Sequence, residues 1–227
     1  MDKKKIIDSG FLGVLFCGGR GTRLGEITKY ISKSFIPIFN KPVFKYGLEL
    51  LEKSKFIDEI IILTNNENDE KLKQTGYKTI MQDDNVVFDM FSGWEYIKKI
   101  TGTNKNGVLA PSDNISDVLI DDLIKIFLKE NAEIVFSLFS VDNKEKLSQM
   151  GSYDIVEKKY SYRKNNVLSN LGIIAPYIVK NNINTSIGDS VFNNCKINYN
   201  LHKGYWFDIG DVNSIKKSSL YLMDKNK

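Results

Sequence analysis

The sequence predicts an α/β fold built on a mostly parallel central sheet, and three observations carry that expectation. Short apolar, β-branched runs alternate with longer amphipathic stretches, which is the pattern of βαβ units. The chain has 227 residues, 42% of them apolar and 26% charged, a size and composition suited to one globular domain, 1–227, with an ordinary core. Its longest apolar runs, such as Ile60-Ile61-Ile62-Leu63, fall far short of the ~20 residues of a membrane span.

Strands are predicted over residues 11–17, 59–64, 78–82, 107–110 and 133–141. A helix over 42–55 would keep Phe44, Gly47, Leu48 and Leu51 on one face, and a second over 121–131 would do so with Leu123, Ile124, Phe127 and Leu128. Residues 143–166 are polar and lysine-rich, and Tyr153, Ile155, Tyr160 and Tyr162 predict a small antiparallel hairpin there, laid beside the sheet as a flap. Another buried strand is expected over 170–178. Asp211 is placed to cap a last helix with Val212, Ile215, Ser219 and Leu222 on one face. Ile187-Gly188-Asp189-Ser190-Val191 has the pattern of one left-handed β-helix coil, but such folds need several stacked turns.

The formal charge is +4, and part of the excess sits at Lys3, Lys4, Lys5, Lys225 and Lys227, a pattern of solvated ends. No nucleic-acid or membrane partner is expected; an anionic small substrate suits the surplus. The single histidine, His202, rules out histidine-rich metal sites and paired-histidine acid–base schemes, and is read as a surface or satisfied core residue. Cys17 and Cys195 have no metal-binding spacing and form at most one bridge. Residues 1–15 never develop the apolar stretch of a signal peptide, so a cytoplasmic location is expected. Chemistry here must rest on carboxylates, lysine, arginine, backbone amides or an oxygen-bound metal.

The most informative segment, residues 13–46, runs from a buried strand into Gly18-Gly19-Arg20-Gly21-Thr22-Arg23. Glycines there let backbone N–H groups approach an anion, so the loop reads as a phosphate cradle. It lacks the Lys-Ser/Thr of a P-loop, and Leu24 stands where the dinucleotide fingerprint has its third glycine. The pattern G-G-x-G-T-R-L, followed by Ser32-Lys33 and Lys41-Pro42, resembles the sugar-1-phosphate nucleotidyltransferases, most closely the short glucose-1-phosphate thymidylyltransferases. Pro111-Ser112-Asp113-Asn114 is similar to that family's strand-end Gly-Asp-Asn, and Trp206-Phe207-Asp208-Ile209-Gly210 to its W-x-D-x-G.

The resemblance implies a Rossmann-like three-layer fold and a Mg2+-dependent transfer of a nucleotidyl group from an NTP to a sugar 1-phosphate. It implies Asp113 and Asp208 as metal ligands and Arg23 and Lys33 as catalytic cations. Gly18, Gly19, Gly21, Thr22, Arg23, Gln82, Asn85 and Asp113 would bind the nucleotide. Lys164, Asn170 and Gly172 would bind the acceptor, with Lys158 as the other candidate for its phosphate. Residue types agree: such a transfer needs positive charge and a hard cation on carboxylates, and the attacking phosphate needs no general base.

Each element also has a plainer reading. The glycine turn is compatible with a simple tight turn, Asp113 and Asp208 with helix caps, Lys41-Pro42 with a structural turn, and Cys17 with a small buried residue. The chain departs from the family pattern at Asn85-Val86-Val87, where a Gly-Leu-Ala would read the base; there Asn85 tolerates a left-handed turn, and Asp83, Asp84 and Asp89 add carboxylates. The acceptor lysines also lack the proline of E-K-P, and the chain runs only to residue 227, so the oligomer surfaces of longer members are not implied, although a homodimer stays open. Competing functions are a cytidylyltransferase acting on a non-sugar phosphate or phosphoramidate, a glycosyltransferase, whose Asp-x-Asp is missing, and an inactive nucleotide-sugar-binding regulator.

Overall fold

The computed structural model describes residues 10–161, 167–186, 191–192 and 195–226. In chain order, β1 (Phe11–Phe16) leads through a 3-10 helix (Thr22–Lys29) and a 3-10 turn (Lys33–Phe35) to the two-residue strands β2 (Pro37–Ile38) and β3 (Lys41–Pro42). Then come α1 (Phe44–Glu52), β4 (Ile57–Thr64), α2 (Asp69–Lys73), β5 (Lys78–Met81), α3 (Met90–Thr101), β6 (Asn106–Pro111) and β7 (Asn114–Ser116). The chain continues through α4 (Ile120–Glu130), β8 (Ile134–Ser140), α5 (Lys144–Met150), the hairpin β9 (Ser152–Asp154) and β10 (Lys159–Ser161), and β11 (Leu171–Val179). It closes with β12 (Ile197–Leu201), β13 (Trp206–Asp208) and α6 (Val212–Lys225).

Strands β5, β4, β1 and β6 lie side by side and all parallel. Beyond β6 the long strand β11 runs antiparallel and is shared with β8 and β9, while β12 pairs in parallel with β8. β1 explains the layering. Phe11 and Leu15 face one core with Phe44, Leu48 and Leu51 of α1 and Leu123, Ile124 and Phe127 of α4. Leu12 and Val14 face the other core with Phe91, Trp94 and Ile97 of α3. A strand buried on both faces is the signature of a covered parallel sheet. A third, smaller core joins Leu24, Ile36, Ile38, Val43, Ile115, Ile209 and Leu222, so the first 3-10 helix, β7, β13 and α6 are packed on one another beside the sheet.

The expected strands and both early helices are present with ends shifted by a few residues; the first helix begins at Phe44 because Pro42 belongs to β3. Two expectations need correction. The polar segment begins with a helix, α5, before the hairpin, because Asn143 caps it by accepting from Lys146 N at 2.9 Å and Leu147 is buried beneath it. Asp211 caps α6 as expected, with Ser214 completing a capping box, but Val212 stands in solvent and the buried face is Ser218 and Leu222. Tyr162, Lys164 and residues 187–190 lie outside the described residues.

Candidate active site

The loops that follow β1, β5 and β6 leave the carboxyl ends of parallel strands, where open α/β sheets place their ligands. They surround a cleft of about 400 Å³. The glycine loop is pinned from beneath: Asn68 Nδ2 donates to Cys17 O at 2.7 Å, and Asn65 Nδ2 to Gly18 O at 3.2 Å. Ser34 and Ser112 share a hydrogen bond of 2.9 Å beside Cys17, whose buried thiol is pushed up to about 12 by desolvation and is packing, not chemistry. Two glycines are required by space and geometry. A Cβ on Gly18 would fall 1.8 Å from Gln82 Oε1, and Gly21 has φ of 62° with Lys33 Cβ 2.8 Å from where its own Cβ would be.

The two aspartates meet because β7 and β13 pair antiparallel, with Asp208 opposite Asn114 and Ile209 N bonded to Asp113 O at 2.8 Å. Asn114 Nδ2 lies 3.0 Å from Asp113 Oδ1 and 3.4 Å from Asp208 Oδ1, so one amide touches both carboxylates, while its Oδ1 accepts from Trp206 Nε1 at 2.9 Å. Neither aspartate caps a helix; Leu119 and Asp211 hold those positions. Lys33, only 8% exposed, forms an ion pair with Asp113. Arg23 lies with Nη2 3.8 Å from Asp208 Oδ2 and donates through Nη1 to Gln149 Oε1 at 3.3 Å.

Burial, and then the neighbouring Asp113 charge, hold the Asp208 carboxyl above the usual carboxylate range, against the opposing pull of Lys33, Arg23 and Lys146. A hard cation would relieve Asp208 of that burden, and the donors it would share with Asp113 are all oxygen, the set suited to Mg2+. Among the described residues no cluster of three or more His, Cys, Asp or Glu side chains forms a closed metal cage. The fit is therefore to an ion completed by a ligand's own oxygens.

Across the cleft, Gln82 donates through Nε2 to Asp84 Oδ1 at 2.6 Å, and Arg20 of the glycine loop pairs with Asp84 Oδ2 at 2.7 Å. These bonds, Gln82 first, hold the Asp84 carboxyl below its ordinary value. Val87, Phe88, Met90 and Phe91 continue this wall, and it runs on into Ile173, Ala175 and Tyr177 of β11, with Phe91 stacked on Tyr177 at 5.2 Å between ring centroids.

Gly18, Gly19, Gly21, Arg23, Lys33, Gln82, Asp113 and Asp208 all line the cleft. Thr22 does not; it begins the 3-10 helix. Asn85 does not either: its amide and backbone N–H both bond Asp83 Oδ1 at 2.9 Å, and its φ is not left-handed. Asn170 bonds Ser140 Oγ at 3.4 Å, and Gly172 sits under Met150, which itself lines the cleft. Lys164 falls outside the described residues, and Lys158 lies in the hairpin turn with φ of 53°. Three residues at the site escape sequence reasoning: Asn65, Asn68 and Lys146. Lys146 Nζ lies 4.5 Å over the Trp206 ring, and its ammonium is pushed down first by burial. Its only signal is Asn143, an N-cap ahead of Leu147 and Met150. His202 is satisfied by Tyr205 O at 3.2 Å and Asp117 Oδ1 at 3.1 Å.

A family model described as "Nucleotidyl transferase" matches residues 12–151. A "Probable molybdenum cofactor guanylyltransferase" of Thermococcus gammatolerans is 37% identical over 82 residues, 36% of this chain and 39% of that protein. A glucose-1-phosphate thymidylyltransferase of Xanthomonas campestris is 42% identical over 55 residues, 24% of this chain and 19% of that protein. The chain thus matches well under half the length of these curated relatives. Among solved structures, a Bacillus anthracis protein with a provisional glucose-1-phosphate thymidylyltransferase assignment superposes with a TM-score of 0.78 at 19% identity, over 94% of this chain and 96% of its own. An apo UDP-glucose pyrophosphorylase gives 0.75 at 17% identity, over 96% and 100%. Both likenesses establish the fold. No helix among the described residues is long and apolar enough to cross a membrane.

Proposed function

Because this chain belongs to the nucleotidyl transferase family, we propose that it transfers a nucleotidyl group from an NTP to a sugar 1-phosphate, releasing pyrophosphate. The observation that carries this reading is the convergence of a glycine loop, two cations and two aspartates 95 residues apart on the rim of one cleft. Neighbours in fold and sequence include proteins named for UDP-glucose and glucose 1-phosphate, which favours a sugar phosphate as acceptor.

In this reading the loop Gly18–Gly21 offers backbone N–H groups to the phosphates, and Arg23 clamps the triphosphate. Lys33 steadies charge at the α-phosphate from its place beside Asp113. Asp113 and Asp208 would hold Mg2+, which when bound supplies charge neutralisation on the phosphate oxygens. Gln82 reads the base: with Nε2 on Asp84, its Oε1 is left to accept from a ring N–H. The wall of Ile173, Ala175 and Tyr177 faces the acceptor. No side chain removes a proton, since the nucleophile is already an anion.

The test is a pyrophosphate-release screen of the common NTPs against a panel of phosphorylated sugars and non-sugar phosphates, with Mg2+ present. Release with one NTP and one sugar 1-phosphate is expected. Release only with a non-sugar acceptor would replace the acceptor, and no release with any pair would sink the reading.

A further inference from the structure

Behind Arg23 a second cavity of about 290 Å³ adjoins the cleft and shares Arg23, Met150 and Asp208 with it. Its remaining wall includes Lys146, Asp211 and Ser214, with Glu145 exposed at the rim. Lys146 is half-buried and held in place: its stem leaves α5, and its ammonium rests 4.5 Å over Trp206, a ring fixed in turn by its bond to Asn114. Among the described residues that ammonium has no hydrogen-bond or ion-pair partner, although it carries three donors. Nearby carboxylates are engaged elsewhere. Asp211 Oδ1 accepts from Ser214 N at 2.7 Å at the start of α6, and Asp208 faces Arg23 and Asp113. A cation that is fixed, partly desolvated and without an acceptor makes half of an anion site.

We propose that Lys146 acts with Arg23 to bind the terminal phosphates of the NTP, and therefore the pyrophosphate that leaves; this rests on the nucleotidyl-transfer reading above. Position selects this ligand over the acceptor. The base wall at Gln82 and the β11 wall both belong to the main cleft, so nucleoside and acceptor meet there. The side cavity joins the main cleft at Arg23, carries none of the glycine-loop residues and is lined mostly by polar side chains, so the far end of a triphosphate cradled by Gly18–Gly21 and gripped by Arg23 would enter it. In the transfer, an oxygen of the acceptor phosphate forms a bond to the α-phosphorus and the bond from that phosphorus to the α–β bridging oxygen breaks. The electron pair stays on the bridging oxygen, so the new negative charge belongs to pyrophosphate. Arg23 and Lys146 would flank it.

The experiment compares the wild type with Lys146→Ala, Lys146→Gln and Lys146→Arg. Pyrophosphate binding in Mg2+ is measured by calorimetry, alongside KM for NTP and for acceptor and the thermal midpoint. Loss of a charged hydrogen bond should weaken pyrophosphate binding and raise the NTP KM by about tenfold or more in the Ala and Gln variants. Arg should restore most of the loss, and acceptor KM and thermal midpoint should stay near wild type. Unchanged pyrophosphate affinity in an active enzyme would overturn this inference alone. A rise confined to the acceptor KM would overturn it too, as would a fall in the midpoint without any binding change. A wild type that neither binds pyrophosphate nor releases it from any NTP would remove the nucleotidyl-transfer reading as well.

Discussion

The two ends of the cleft are held together by different means. At the aspartate end, Asp113 and Asp208 are set by a strand ladder and by a small core of their own, and Lys33 beneath them is buried. At the base end, Gln82, Asp84 and Arg20 hold one another by side-chain contacts in solvent, with Arg20 77% and Asp84 52% exposed. Backbone pairing fixes positions to fractions of an ångström, which charge stabilisation at a reacting phosphorus demands. Exposed ion pairs hold their partners loosely and are screened by salt. On the proposed function, the first end would set the rate and the second the choice of ligand.

The sharpest test of that contrast removes one carboxylate. Asp113→Asn and Asp208→Asn should each lower kcat by ~10³-fold or more, with the double variant scarcely worse than either, because both serve one ion. Pyrophosphate-release kinetics check this, and a multiplicative double loss would show that the two act separately. Arg23→Ala should lower kcat/KM by ~10²-fold with the fold intact, the scale of losing one preorganised charge. Near-normal turnover with every NTP would refute its place at the rate-setting end.

A third effect is one of stability and has the opposite sign. Asp208 has its folded pKa raised, so between the ordinary carboxylate range and that raised value the native state binds the proton more tightly than the unfolded chain does. Stability contributed by this group therefore falls as pH rises through that window, so above it Asp208 is a burden on the fold. Asp208→Asn should raise the thermal midpoint at pH 7 by a few degrees, at about 2–4 °C per kcal/mol for a chain of this size. The gain should shrink on acidification, and Mg2+ should raise the midpoint of the wild type more than that of the variant. A lower midpoint for the variant at pH 7 would show that Arg23 and Lys33 outweigh the burial of Asp208.

The smallest change is expected at the base end. Gln82→Ala should raise the preferred NTP's KM by about tenfold while leaving kcat within about threefold, as when uniform binding is lost. Equal losses for all four bases would make Gln82 a structural prop under Gly18.

The same contrast explains what the sequence disclosed. β1, the glycine loop and Lys33 are close in the chain and their residue types follow from backbone geometry, so they were legible. Asp113 and Asp208 were brought together only by the family resemblance, as ligands of one ion: nothing local at 114 or 208 announces the β7–β13 pairing that does it. Asn65 and Asn68 reach back 47 and 51 residues to bond the carbonyls of Gly18 and Cys17, contacts that leave no periodic trace. α5 was hidden because Leu147 is its only fully buried side chain, and Lys146 looked like one more lysine in a polar stretch. Asn85 misled because its residue type suits a left-handed turn, whereas its side chain bonds Asp83 instead.

The pairing of β7 with β13 also sets an order of events during synthesis. The ribosome makes the glycine loop, Lys33 and Asp113 first, while Asp208, on the strand that positions it, follows Asp113 by 95 residues. A nascent chain can therefore assemble its parallel sheet while lacking one of the two carboxylates, and any fragment ending before β13 carries the phosphate cradle without the pair. On the proposed reading, a growing chain would be unable to turn over nucleotide until β13 has been made and has paired with β7.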